Sequence, residues 1–174
     1  KLAATDPETT LDLLRETPVD GSGVVPLASY PPSEPKALDP SENEAFGTEM
    51  IGMVDIAHPE RDISVGGFVV FPDETLAADA IERALGDESV TVQRLTLAGL
   101  DAAMGLFGER TAHVIVQADY VVLVSTDHIL ADGAYTNSFA AQLTALQHAV
   151  GLIWHLYRAL QAAGARRFRE GISR

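Results

Sequence analysis

The residue types needed for covalent catalysis come closest together late in the chain, where Ser125, Asp127, His128 and Asp132 follow one another closely. A serine nucleophile needs a neighbouring base, and a histidine oriented by a carboxylate is the usual one. The segment lacks the G-x-S-x-G pattern that exposes a serine on a sharp turn. A turn at Asp127 and capping of a following helix by Asp132 explain the two acids without chemistry. We therefore predict no catalytic site here.

Two other parts of the chain carry residue types that serve as metal ligands in proteins. The segment 55–62 combines three carboxylates with a histidine and an arginine, and His148 and His155 lie seven residues apart on a predicted helix. The spacing within 55–62 matches no metal motif, so a solvated turn explains it. Seven helical residues separate the two histidines by about 10.5 Å, which is too far to share one ion. We predict polar residues at the helix edge, no metal site and no cofactor.

Composition excludes further classes of protein. The chain has 174 residues, and 25 acidic against 12 basic residues give a formal net charge of −13, which repels nucleic acid. It has no cysteine, which excludes disulfides and thiolate metal sites. Residues 133–157 carry no formal charge, but the polar residues among them argue against a membrane span.

The first 44 residues differ in composition from the rest. They hold seven of the nine prolines and nine acidic residues, which predicts a Pro-rich acidic arm or tether over 1–44. Within it, Thr5 or Asp6 as the N-cap and Pro7 at the first helical position favour one short helix that ends before Pro18, with a disordered tether or a surface-wrapped arm as the alternative. Residues 45–174 are predicted to form a single domain.

Hydrophobic patterning over 45–174 predicts an α+β fold, with a mixed or antiparallel sheet of about five strands covered on one face by helices. The last helix, of about thirty residues, is the longest. The predicted elements are strands 49–56 and 63–71, a helix between the caps Asp73 and Gly86, a strand 90–97, a short helix 99–107, strands 112–117 and 120–125, and the C-terminal helix ending near Gly164.

The long C-terminal helix carries the candidate binding residues. A stripe whose members alternate four and three residues apart is predicted to pack on the sheet. Leu152, Trp154 and Leu156 lie off that stripe and predict a second apolar surface, which a monomer would leave in water. The stripe consists of Phe139, Leu143, Leu146, Val150, Ile153, Tyr157 and Leu160.

Three segments resemble the exported lipoproteins of high-GC Gram-positive bacteria. They are the Pro-rich lead YPPSEP at 30–35, the strand and turn GFVVFPD at 67–73 before an Ala-rich helix, and the strand DYVVLVS at 119–125 before the long helix. The resemblance covers about 26–163 of the chain. It implies an α+β domain of largely unknown function outside the membrane, anchored by a lipidated cysteine upstream, and it implies no catalytic residues.

These observations predict a non-enzymatic, extracytoplasmic binding or scaffolding domain of the cell envelope. Its partner would be another protein or a second copy bound through the long helix, as a homodimer, and not nucleic acid. The alternative is a carrier of a small apolar ligand, or an enzyme, with a pocket between the long helix and the sheet. Phe139, Leu143, Trp154 and Tyr157 would line that pocket.

Overall fold

The computed structural model describes residues 5–18, 36–38, 49–57, 64–86, 90–107, 111–128 and 138–172. These residues form helices and strands in the order α1 (Pro7–Glu16), β1 (Lys36–Leu38), β2 (Gly52–Ala57), β3 (Ser64–Val70), α2 (Glu74–Leu85), β4 (Val90–Leu97), β5 (Leu100–Phe107), β6 (Thr111–Ala118), β7 (Val121–His128) and α3 (Ser138–Ile172).

The strands form one seven-stranded sheet in the order β1-β2-β3-β7-β6-β5-β4. Every neighbouring pair is antiparallel. Two meanders, β1 to β3 and β4 to β7, meet where β3 pairs with β7, and α2 connects β3 to the far edge at β4. The α+β class and the antiparallel sheet are confirmed, and the strand number exceeds the predicted five because β1 and β5 were not foreseen.

The short helix predicted over 99–107 is wrong, because these residues form strand β5. Ala98 and Gly99 both have positive φ, 51° and 79°, and they make the two-residue turn that favours a hairpin. β5 then pairs along its length with β4 and over most of it with β6. Its alanines, leucines and methionine favour helix locally, and the ladders on both sides override that preference.

Helices cover both faces of the sheet, whereas the sequence predicts them on one. The larger hydrophobic cluster lies between the sheet and helices α1 and α3, and its largest members include Leu14, Phe68, Leu123 and Leu156. A smaller cluster, with Val69, Phe71 and Ile81, lies between the opposite face and α2. Strands β2, β3, β6 and β7 contribute side chains to both clusters, because successive residues of a strand point to opposite faces of the sheet.

Helix α1 is stabilised by an N-terminal cap and by burial of its leucines. Asp6 caps it by accepting a hydrogen bond from the Thr9 backbone N–H at 2.9 Å, and Pro7 occupies the first turn, so the predicted short helix is confirmed. Leu11 and Leu14 are buried in the larger cluster. The division of the chain at residue 44 stays a prediction, and most of 19–48 lies outside the described residues.

Candidate functional site

The side of α3 that faces the sheet combines alanines with large residues. Ala145, Ala149 and Ala159 are buried in the larger cluster together with Leu152 and Leu156. Alanines at these positions let the helix backbone approach the strands closely, and the two leucines fill the space between them. This row, whose members lie three or four residues apart, is the face that α3 buries.

The prediction that Leu152 and Leu156 project from a second surface is therefore wrong. They are 1% and 0% exposed and belong to the core. Of the stripe predicted to pack on the sheet, Ile153 is buried, whereas Leu143, Val150 and Tyr157 are exposed. The side of α3 that carries the alanines is buried instead. Alanine loses little side-chain conformational entropy on burial and leaves room for a close contact between helix and strands.

The outer face of α3 carries the exposed apolar residues. Trp154 is 53% exposed and Leu143 47%, with Val150 at 40% and Tyr157 at 39%. At 3.6 residues per turn these four lie on the side of α3 away from Leu152, and they extend about 21 Å along the helix axis. We call Leu143, Val150, Trp154 and Tyr157 the outer stripe. Phe139 lies in α3, but its side chain is outside the described residues.

The position of the outer stripe contradicts the predicted lining of a pocket between α3 and the sheet. Because Leu143, Trp154 and Tyr157 face away from the sheet, they do not line a pocket between α3 and the sheet. Large side chains such as Leu152 and Phe68 fill that interface.

A cleft of about 320 Å³ lies instead on the α2 face, between α2 and strands β4 to β6. Two of its polar side chains, those of Arg94 and Gln117, bond to other protein groups. The Arg94 guanidinium donates to both carboxylate oxygens of Glu82 at 2.9 and 3.0 Å, and the Gln117 amide donates to the backbone oxygens of Glu74 and Asp119. These bonds hold α2 against the sheet, and they position the Arg94 and Gln117 side chains without a ligand.

The residues considered for catalysis do not form a reactive site in the described chain. Ser125 is fully buried, and its hydroxyl donates to the Ala145 carbonyl oxygen, which joins β7 to α3. A buried hydroxyl bonded to a helix backbone is out of reach of a substrate. Asp127 and His128 end β7, and Asp132 lies outside the described residues.

The two histidines of α3 are buried, not at the polar edge that the sequence predicts. His148 and His155 are both less than 5% exposed. The His155 ring packs against the ring of Phe68 on β3, with centroids 5.9 Å apart and a tilt of 43°. They contribute to the packing of α3 on the sheet.

The metal candidate at 55–62 falls mostly outside the described residues, apart from Asp55 and its neighbours on β2. In the ranges that the structure describes, histidine and carboxylate side chains nowhere gather in a group of three or more that could hold a metal ion. Within the same ranges, no helix combines the length and the apolar character needed to cross a bilayer.

The comparisons with known proteins add no relative to this picture. Neither the family models nor the curated proteins nor the solved structures give a match to the chain. The candidate site is therefore defined by geometry alone, as the outer stripe of α3.

Proposed function

We propose that this chain is a non-enzymatic binding or scaffolding domain of the cell envelope, working outside the cytoplasm, and that the outer stripe of α3 is its binding surface. The occupant is a second copy of the chain. The observation that carries the proposal is the exposure of Leu143, Val150, Trp154 and Tyr157 in one row on a helix whose opposite face is fully packed.

Charge does not oppose a helix-to-helix contact at this surface. The outer stripe spans 143–157, and within that stretch α3 has no acidic or basic residue, because its four arginines and one glutamate begin at Arg158. The chain as a whole has a net charge of −13, and the repulsion between two copies is screened beyond about 8 Å at physiological ionic strength.

The size of the stripe sets the strength of the contact. Its four side chains expose on the order of 400 Å², similar to the largest apolar patch of an ordinary monomer. Two stripes paired about a two-fold axis would bury about 800 Å², below the roughly 1,200 Å² where standard stable interfaces begin. The proposed homodimer is accordingly weak, forming at high micromolar concentration.

The extracytoplasmic location is supported by the acidic, cysteine-free composition and by the resemblance of three segments to exported lipoproteins. The carrier of an apolar ligand receives less support, because three of its four expected lining residues, Leu143, Trp154 and Tyr157, are exposed on the outer face of α3.

Trp154 is the single tryptophan of the chain, so its fluorescence reports directly on the outer stripe. We expect its emission to shift to shorter wavelength, and its quenching by acrylamide to fall, as the concentration rises at raised salt. Val150→Glu keeps the tryptophan and puts a charge one turn away, so it should abolish both changes.

Thr75→Glu is the matched control, because it adds the same charge at an exposed position on α2. It should behave like the wild type. A wild-type emission that stays constant to high micromolar concentration would reject the α3 contact.

A further inference from the structure

Strand β4 is the long edge of the sheet. Its eight residues pair with β5 on one side, and on its other side no strand pairs with it among the described residues. The opposite edge, β1, has three residues. An edge strand offers a row of backbone donors and acceptors to any further strand.

The hairpin turn fixes which backbone groups of β4 point outward. The two-residue turn at Ala98 and Gly99 makes Leu97 and Leu100 the pair that closes the hairpin with mutual hydrogen bonds. Bonding then alternates along the strand. The N–H and C=O groups of Val90, Val92, Arg94 and Thr96 consequently face away from β5.

Within the part of the chain that the structure describes, strand β4 lacks most of the features by which proteins usually protect an edge. The sequence VTVQRLTL has no proline and no lysine, and its register with β5 is continuous over all eight residues. Its one charged residue, Arg94, forms an exposed ion pair with Glu82 at 2.9 Å, and an exposed pair leaves Arg94 able to repel a cation placed opposite it. Within the strand, only a cation facing Arg94 would therefore oppose pairing with another strand.

We propose that β4 pairs antiparallel with β4 of a second copy, about a two-fold axis at Gln93, so that two sheets become one. A two-fold axis perpendicular to the sheet keeps the same face of both copies on the same side of the joined sheet. Two residues that stand opposite one another must then point to the same face, so their numbers are both even or both odd. Centring on Arg94 would set two arginines face to face. Centring on Gln93 sets Val92 opposite the partner's Arg94 and uses all four outward residues.

This contact is independent of the outer stripe. Helix α3 packs over β7, β6 and β3, and β4 lies three strands beyond β7, about 14 Å away. Both surfaces are accessible at once. If the proposed α3 contact also forms, two different two-fold contacts on one chain link copies into an open row, which is what a scaffold requires.

The test uses the full chain with Trp154→Glu, which removes the α3 contact, in sedimentation equilibrium. This variant should still form dimers at high micromolar concentration. Adding Val92→Lys puts a lysine opposite the partner's Arg94 and should weaken the dimer by tenfold or more. Adding Val92→Glu puts a carboxylate there and should leave the dimer as strong or stronger.

The two additions change the same position to residues of similar strand propensity, so a loss of folding affects both. Circular dichroism checks the fold of each. A monomeric Trp154→Glu protein, or equal effects of lysine and glutamate, would overturn the β4 pairing. Failure of the α3 contact shows separately, as an unchanged tryptophan emission in the wild type.

Discussion

The side-chain oxygens of Thr10 in α1 and Tyr120 in the β6–β7 turn lie 2.7 Å apart. The Tyr120 phenol also donates to the Thr5 carbonyl oxygen at 2.7 Å. A phenol has one proton, so the Thr10 hydroxyl is the donor toward Tyr120. Thr10 is fully buried. This chain of hydrogen bonds fastens the first helix of the protein to the far end of the central hairpin.

Tyr120→Phe removes both hydrogen bonds while the ring stays in place. The buried Thr10 hydroxyl and the Thr5 carbonyl oxygen lose their partner, so we expect the free energy of unfolding to fall by roughly 1–3 kcal/mol. Urea denaturation measures it. Tyr157→Phe is the control, since that side chain is exposed on α3, and it should change stability by less than about 0.5 kcal/mol. Equal effects of the two variants would contradict the role of the Thr10 contact.

The same tyrosine predicts a dependence of stability on alkaline pH. Burial raises the pKa of Tyr120 above its ordinary value of 10.0, the hydrogen bond with Thr10 opposes the shift, and the carboxylates of Asp119 and Asp6 add to it. The folded protein therefore keeps this proton at a pH where the unfolded chain releases it. Its stabilising effect is complete below pH 10 and is lost as the pH rises through the folded-state pKa.

Urea midpoints measured from pH 8 upward test this effect. The stability advantage of the wild type over Tyr120→Phe should be constant up to about pH 10 and then shrink. An advantage that stays constant to higher pH would show that burial does not raise the pKa of Tyr120.

Two glycines with positive φ differ in how closely other atoms surround them, so replacing each by alanine distinguishes the cost of backbone strain from the cost of steric overlap. Gly66 on β3 has φ 150° and Gly99 in the β4–β5 turn has φ 79°. A Cβ at Gly66 would overlap the Val124 carbonyl oxygen and lie 2.9 Å from Leu152 Cδ1, whereas at Gly99 it would meet no atom within 4 Å. Gly99→Ala should cost about 1 kcal/mol for its φ alone.

Gly66→Ala should cost at least about 3 kcal/mol, because strand and helix α3 must both move. Urea denaturation of the two variants gives the comparison. Similar losses would mean that β3 and α3 are not in the close contact described.

The sequence predicts correctly the helices whose ends are marked by capping residues. The Asp73 carboxylate caps α2 by accepting from the Leu76 N–H at 2.8 Å, and Gly86 ends the helix as predicted. Asp6 and Pro7 likewise marked the start of α1. Caps act within one turn of chain, so a single sequence is enough to find them.

The sequence does not predict the elements whose conformation depends on residues far away in the chain. Strand β5 has a helix-like composition and owes its conformation to its neighbours β4 and β6. The buried face of α3 depends on how closely the helix approaches the sheet, which no periodicity of large residues records. For that reason the sequence places only Trp154 on an exposed surface of α3, and it assigns Leu143, Val150 and Tyr157 to the stripe that packs on the sheet.

The orientation of α3 can be tested with two identical substitutions on one helix. Leu156 is 0% exposed against the sheet and Leu143 is 47% exposed on the outer face. Leu156→Ala opens a cavity in the larger cluster and should cost about 2–5 kcal/mol of unfolding free energy. Leu143→Ala removes exposed atoms and should change it by less than about 0.5 kcal/mol.

Both variants are measured by urea denaturation at low protein concentration, where self-association contributes nothing. Helix propensity is equal in the pair, because leucine is replaced by alanine at interior positions of the same helix. The difference therefore reports burial alone. If Leu143→Ala were the more costly of the two, the stripe that includes Leu143 would pack on the sheet, and the outer stripe would lose its place as the binding surface.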